Sequence, residues 1–158
     1  MLPLPIPPFT SHGILPLGIH DCDINEVETI FVYNNQRRSI WTGFTSFLRI
    51  VRPIPEFDLV YIDGSFITDK QSPRDVDIVL ELADVQTLFT ILSTHPHLYD
   101  QAYIKSAFLV DLWISFVQVP PNMPDLREFF QYVRPEDAIG RGVAVGSKKG
   151  ILRISLRQ

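Results

Sequence analysis

Apolar positions along the chain recur at two periods, and the period changes from block to block. Ile24, Val27, Ile30 and Phe31 repeat at helical spacing, as do Ile40, Trp41, Phe44, Phe47, Leu48 and Val51. Asp21 or Asp23 caps the first helix, and Glu26 lies three residues after Asp23, the spacing of a capping box. A break near Asn34-Asn35 separates the two helices; Arg37 and Arg38 open the second, and Pro53 and Pro55 end it. A third helix follows Asp84, with Val85, Leu88, Phe89 and Leu92 on one face, and stops before Pro96. Between the second and third helices lie two short β-branched runs, Leu59 to Ile62 and Val76 to Leu80. Gly64-Ser65 and Ser72-Pro73 divide them, so they predict two neighbouring buried strands.

The later chain is read the same way. Residues 103–119 predict a long strand or strand pair, with Phe108, Val110, Leu112, Ile114 and Phe116 on one face. Asp125 caps a short helix over 126–133, and residues 140–150 form a glycine-rich, charged loop. A last strand turns Leu152, Ile154 and Leu156 inward and Arg153 and Arg157 outward. The class these elements predict is α+β: a small mixed β-sheet with helices mainly on one face. Residues 1–20, with Pro3, Pro5, Pro7, Pro8 and Pro16, predict an extended arm beside a single domain over 21–158. Ile6, Phe9, Ile14 and Leu15 need burial, which favours an arm packed on the domain over one that binds a partner.

The chemistry concentrates at the mouth of the second central strand. Asp75 and Asp77 are two residues apart, so in a strand they share a face, roughly 6–7 Å from each other. Two carboxylates closing on one face repel and lose hydration unless a cation sits between them. Hard oxygen donors at that spacing suit Mg²⁺ or Mn²⁺ in a two-metal site. Asp111 interrupts an otherwise apolar run, where a carboxylate is costly unless paired, hydrogen-bonded or metal-bound.

Gly64-Ser65, nine intervening residues and then Asp75-Val76-Asp77 resembles the signature of the DNA polymerase beta-like nucleotidyltransferase superfamily. The flanking DGSFIT and DVDIVLEL, an opening segment from Leu15 to His20 and a closing strand from Lys149 to Ile154 are similar to short bacterial nucleotidyltransferase-like proteins. Toxin–antitoxin and phage-defence roles occur among small relatives of that type. The resemblance implies transfer of an NMP from an NTP to a hydroxyl of a protein, an RNA or another nucleotide. Asp75, Asp77 and Asp111 would hold the ions, with Asp111 helping to deprotonate the acceptor. Gly64 would let backbone amides approach the β- and γ-phosphates, and the Ser65 hydroxyl would donate to a phosphate oxygen. Thr68, Lys70 and Lys149 would add nucleotide contacts. The rival reading is a non-catalytic module of the same fold, an antitoxin or assembly partner with a protein partner of its own; a metal-dependent phosphohydrolase ranks third, since no general-base histidine is tied to the motif.

Composition narrows this only slightly. The chain has 158 residues, which suits one domain, and 46% hydrophobic and 20% charged residues are ordinary for a globular protein. No apolar run approaches the roughly 18 residues that span a bilayer, and the proline-broken start lacks the basic region of a secretory signal, so no membrane role and a cytoplasmic location are expected. The one cysteine, Cys22, excludes an internal disulfide, fits a reducing compartment and is read as a small packed side chain. His95 and His97, on either side of Pro96, read as polar surface. Net charge is −4, which argues against a general nucleic-acid coat. Its distribution is uneven: residues 1–125 hold 7 Lys/Arg against 15 Asp/Glu, and residues 126–158 hold 7 against 3. An acidic body with a basic tail suits a metal-carboxylate site that faces a polyphosphate.

Overall fold

A computed structural model describes residues 6–157; Pro3 and Pro5 of the expected arm lie outside the described residues. The fold is α+β, as the periodicities predict. Five strands form one mixed sheet: β1 (Gly18–Asp21), β2 (Leu59–Asp63), β3 (Val76–Leu82), β4 (Val110–Phe116) and β5 (Gly150–Ser155), in the order β1-β5-β2-β3-β4. β2 runs antiparallel to both β3 and β5, while β1 pairs parallel with β5 and β4 parallel with β3. The parallel partners need crossovers, and helices supply the one between β3 and β4.

Four helices cover one face of the sheet. α1 (Ile24–Phe31) starts at a full capping box between Asp23 and Glu26, and α2 (Asn35–Val51) starts at Asn34, whose side chain accepts from the Arg37 amide. α3 (Val85–Thr94) is capped by Asp84, and α4 (Gln101–Phe108) by Asp100. Their apolar stripes, except Ile30 of α1 and Phe89 of α3, which lie too far round their helices and are exposed, meet Val60, Ile62, Ile78, Leu80 and Leu112 in the main core. Gly43 lets α2 press against α4, because a methyl group there would strike the Phe108 carbonyl. The other face is thinly covered: α5 (Leu126–Phe129) and the following Phe130 pack on Tyr61, Val79 and Ile151. α6 (Pro135–Arg141) joins Ile14 and Val133 in a satellite cluster through Ala138.

Three expectations are corrected. Residues 103–119 are not a strand pair: α4 occupies 101–108, and Leu109 turns the chain in the left-handed region (φ 56°) before β4 begins. A non-glycine residue at a helix end gives no glycine signal, so the boundary hides inside an apolar run. The stretch 126–133 is helical only to Phe129, and a separate helix, α6, starts at Pro135 and ends at Gly142. The arm is not irregular to residue 20, because Gly18–Asp21 forms the edge strand beside β5. Its apolar side chains are buried as expected: Ile6, Ile14 and Leu15 are almost fully enclosed and Phe9 packs on Phe31.

Candidate active site

The thinly covered face of the sheet carries a row of carboxylates. Alternation sends Val76, Ile78 and Leu80 of β3 into the core and turns Asp77, Val79 and Glu81 to the opposite face. On β2 the antiparallel register sets Asp63 opposite Asp77, and on β4 the parallel register sets Asp111 opposite Asp77. Asp63, Asp77 and Asp111 therefore stand on one rung of three adjacent strands, each about 4.8 Å from the next in backbone spacing. Asp75, just before β3, is near enough to act on the charge of Asp77.

Such crowding shows in the ionisation. Asp77 is 6% exposed, and its pKa is raised from 3.8 to about 7. Burial is the largest cause, followed by the charges of Asp75 and Asp63 and by Asp111, which accepts a hydrogen bond from the protonated form. Asp63 is also pushed up by burial, and Lys149 opposes that shift. Lys149 Nζ lies 3.0 Å from Asp63 Oδ1, with both side chains largely buried. The contact is one of charge: that oxygen is enclosed and receives no hydrogen bond of ordinary geometry. Asp75 is held instead by Lys105 of α4, Nζ to Oδ2 3.3 Å, and its carboxylate raises the lysine pKa.

Gly64 makes this packing possible. Its φ is +83°, a conformation open to glycine, and a Cβ there would collide with the Asp77 carboxylate, which rests directly over its backbone. Ser65 opens a 3₁₀ turn to Ile67, and its carbonyl accepts from the Thr68 amide and hydroxyl. Thr68 is buried, and its hydroxyl also accepts from the Lys70 amide, so this group serves the loop. The Lys70 side chain is exposed.

Arg37 organises the same loop. Its side chain is fully buried, and its guanidinium donates to the carbonyls of Phe31, Phe66, Thr68 and Lys70, while Nε has no partner. The rings of Tyr33 and Phe66 lie 4.6 and 5.1 Å from it. Burial lowers its pKa. The backbone from Phe66 to Lys70 is thus pinned by one side chain from α2.

The structure brings Asp75, Asp77, Asp111, Gly64 and Lys149 together; Thr68 and Lys70 belong to the adjoining loop. Sequence reasoning missed Asp63, although it shares the alternation of Leu59 and Tyr61 that ends at Gly64. It also took Arg37 only as a helix start. Among the described residues, no three His, Cys, Asp or Glu side chains converge tightly enough to hold a metal ion as they stand. The donor chemistry nonetheless fits a hard divalent cation: carboxylate oxygens alone, one driven toward protonation by burial and by its charged neighbours and one buried against a lysine ammonium. Cys22 is buried and its thiol is pushed up to about 12, chiefly by burial, consistent with a packed side chain. No helix among the described residues is long and apolar enough to cross a membrane.

A family model described as a family of unknown function, DUF6932, matches residues 7–155. No curated protein and no solved structure matches the chain.

Proposed function

The chain belongs to this family of unknown function, DUF6932, and from the chemistry of its own site we propose that it is a metal-dependent nucleotidyltransferase. The observation that carries the reading is the shared rung of Asp77 and Asp111 on parallel neighbours, beside Asp63 and against the Gly64 backbone. Carboxylates crowded on one rung draw a divalent cation, which relieves the repulsion between them. Asp77, Asp111 and Asp75 would hold Mg²⁺ or Mn²⁺, and the ions would supply charge neutralisation at a transferring phosphoryl group. Asp75 would exchange its bond to Lys105 for the cation.

The protein's own groups do the rest. Gly64 brings backbone amides to the carboxylates with no side chain between, and Ser65 offers a hydroxyl at the start of the turn. Lys149 places an ammonium group at the end of the row, where a phosphate oxygen would compete with Asp63 for it. Asp111 would accept the proton of an attacking hydroxyl. The acceptor class remains protein, RNA or nucleotide, in a cytoplasmic setting of the toxin–antitoxin or phage-defence kind.

A specific observation favours a second reading. Lys105 and Lys149 already give Asp75 and Asp63 counter-charges, as a non-catalytic module of this fold, an antitoxin or assembly partner, would require. One experiment separates the two. Cell extract incubated with the protein, Mg²⁺ and α-³²P-labelled NTP should yield a labelled acceptor, whereas γ-labelled NTP should not. Asp77→Asn with Asp111→Asn should abolish the label, and no transfer from either NTP would leave the module as the reading.

A further inference from the structure

Beyond the carboxylate row, the same face of the sheet carries a second group of side chains. Trp113 follows Asp111 by two residues in β4, so it lies on the same face, roughly 6–7 Å further along the strand. Its partner on the neighbouring strand is Val79, one alternation beyond Asp77. Trp113 is 36% exposed, whereas Trp41 is 4% exposed inside the core. Phe130 meets the indole edge to face, centroids 5.8 Å apart, and Phe129 meets Phe130 in the same manner at 5.4 Å. Nearby in the chain, Tyr132 carries the Lys148 ammonium 5.1 Å from its ring centre. The ladder that pairs Gln131 and Val133 with Lys149 and Ser147 leads both lysines into β5.

An indole buried for its own sake would close over its neighbours. This one packs against Phe130 and stays partly open, two residues along the strand from Asp111. A flat apolar surface on the same face as carboxylates that would hold divalent cations suits a ligand with a planar ring at one end and an anion at the other. A nucleotide has that form, with one ribose between the two. Resting on the carboxylate row as a triphosphate site, we propose that Trp113 is the plane on which the base of the bound nucleotide stacks, with Phe130 fixing the indole. Every base offers a π face, so the contact binds bases without choosing among them.

Titration calorimetry with Mg²⁺ present tests this with two ligands, ATP and inorganic tripolyphosphate, which has the phosphates and no base. Trp113→Ala should weaken ATP by roughly tenfold, and Trp113→Phe, which keeps a ring, should remain within about threefold of the parent. Tripolyphosphate should bind both variants as it binds the parent. Equal weakening of the two ligands in Trp113→Ala, or weakening of neither, would overturn the stacking role. Fluorescence gives a readout that does not need the alanine variant to fold well. ATP should quench the parent emission, tripolyphosphate should not, and Trp113→Phe should lose the quench because Trp41 is enclosed. A quench that persists in Trp113→Phe overturns the inference. If the parent binds neither ligand, the phosphate site itself has failed, and the stacking plane falls with it.

Discussion

Asp77 carries the tension of the site, and its ionisation has a consequence for stability. A buried carboxyl whose folded pKa is about 7 stays protonated in the fold while the unfolded chain ionises above about 4. The folded state then binds more protons, so stability falls as pH rises from about 4 to about 7 and stays low above that. The shift corresponds to on the order of 4 kcal/mol. Asp63 shifts in the same direction. Asp21 and Asp125 are held low by Arg153 and Arg127, so their contribution is lost only below the ordinary carboxylate range, outside this window. In metal-free buffer the melting temperature should therefore drop between pH 4 and pH 7, and Mg²⁺ should restore part of it. Asp77→Asn should melt roughly 5 °C or more above the parent at pH 8 and near it at pH 4. A parent melting curve flat over that range would contradict the crowding. Gly64→Ala tests the packing from the other side. Its methyl group would displace the Asp77 carboxylate and adopt a disfavoured φ, at about 1–3 kcal/mol in denaturant titrations, and calorimetry should show Mg²⁺ binding lost.

Among the elements, the loop after β2 depends on a helix far from it in sequence. Arg37 donates to four carbonyls, and its bonds to those of Phe31, Phe66 and Thr68 are buried. An ammonium group cannot span them, so Arg37→Lys should lower stability by about 2–4 kcal/mol in denaturant unfolding. It should also weaken Mg²⁺·ATP binding, because the Gly64–Lys70 backbone loses its clamp. Retained affinity in Arg37→Lys would show that the loop is set by its own turn. The helical periods of α1, α2 and α3 and the acidic caps of α1 and α3 are plain in the sequence because those signals are local, whereas Asn34, read as a break, caps α2. The α4–β4 junction was not, since Ile104 and Phe108 continue the apolar run of β4 and Leu109 turns without a glycine. Pro135 and Gly142 were legible marks of α6, masked by the polarity of the residues between them.

At the scale of the whole molecule, the two ends of the described chain close the sheet together. β1 lies against β5, Arg153 grips Asp21 through two hydrogen bonds, and Arg141 joins His12 and Asp69. The arm thereby belongs to the core that supports the carboxylates. Deleting residues 1–15 removes Ile6, Ile14 and Leu15 from burial, at roughly 1.5–3 kcal/mol for each side chain. The shortened chain should unfold at markedly lower denaturant or lose its cooperative transition, and an unchanged midpoint would make the arm an appendage.

By itself the sequence determined the class of fold, the helical periods and the two central strands, since each rests on spacing within a few residues. It marked Asp111 as anomalous through its cost in an apolar strand. Tertiary structure alone decided which strands flank that central pair, and with that the register that sets Asp63, Asp77 and Asp111 on one rung. Burial decided the rest: Arg37 became a clamp, Lys149 a counter-charge and Trp113 an open plane, because each of these roles depends on what other segments bring to the same place.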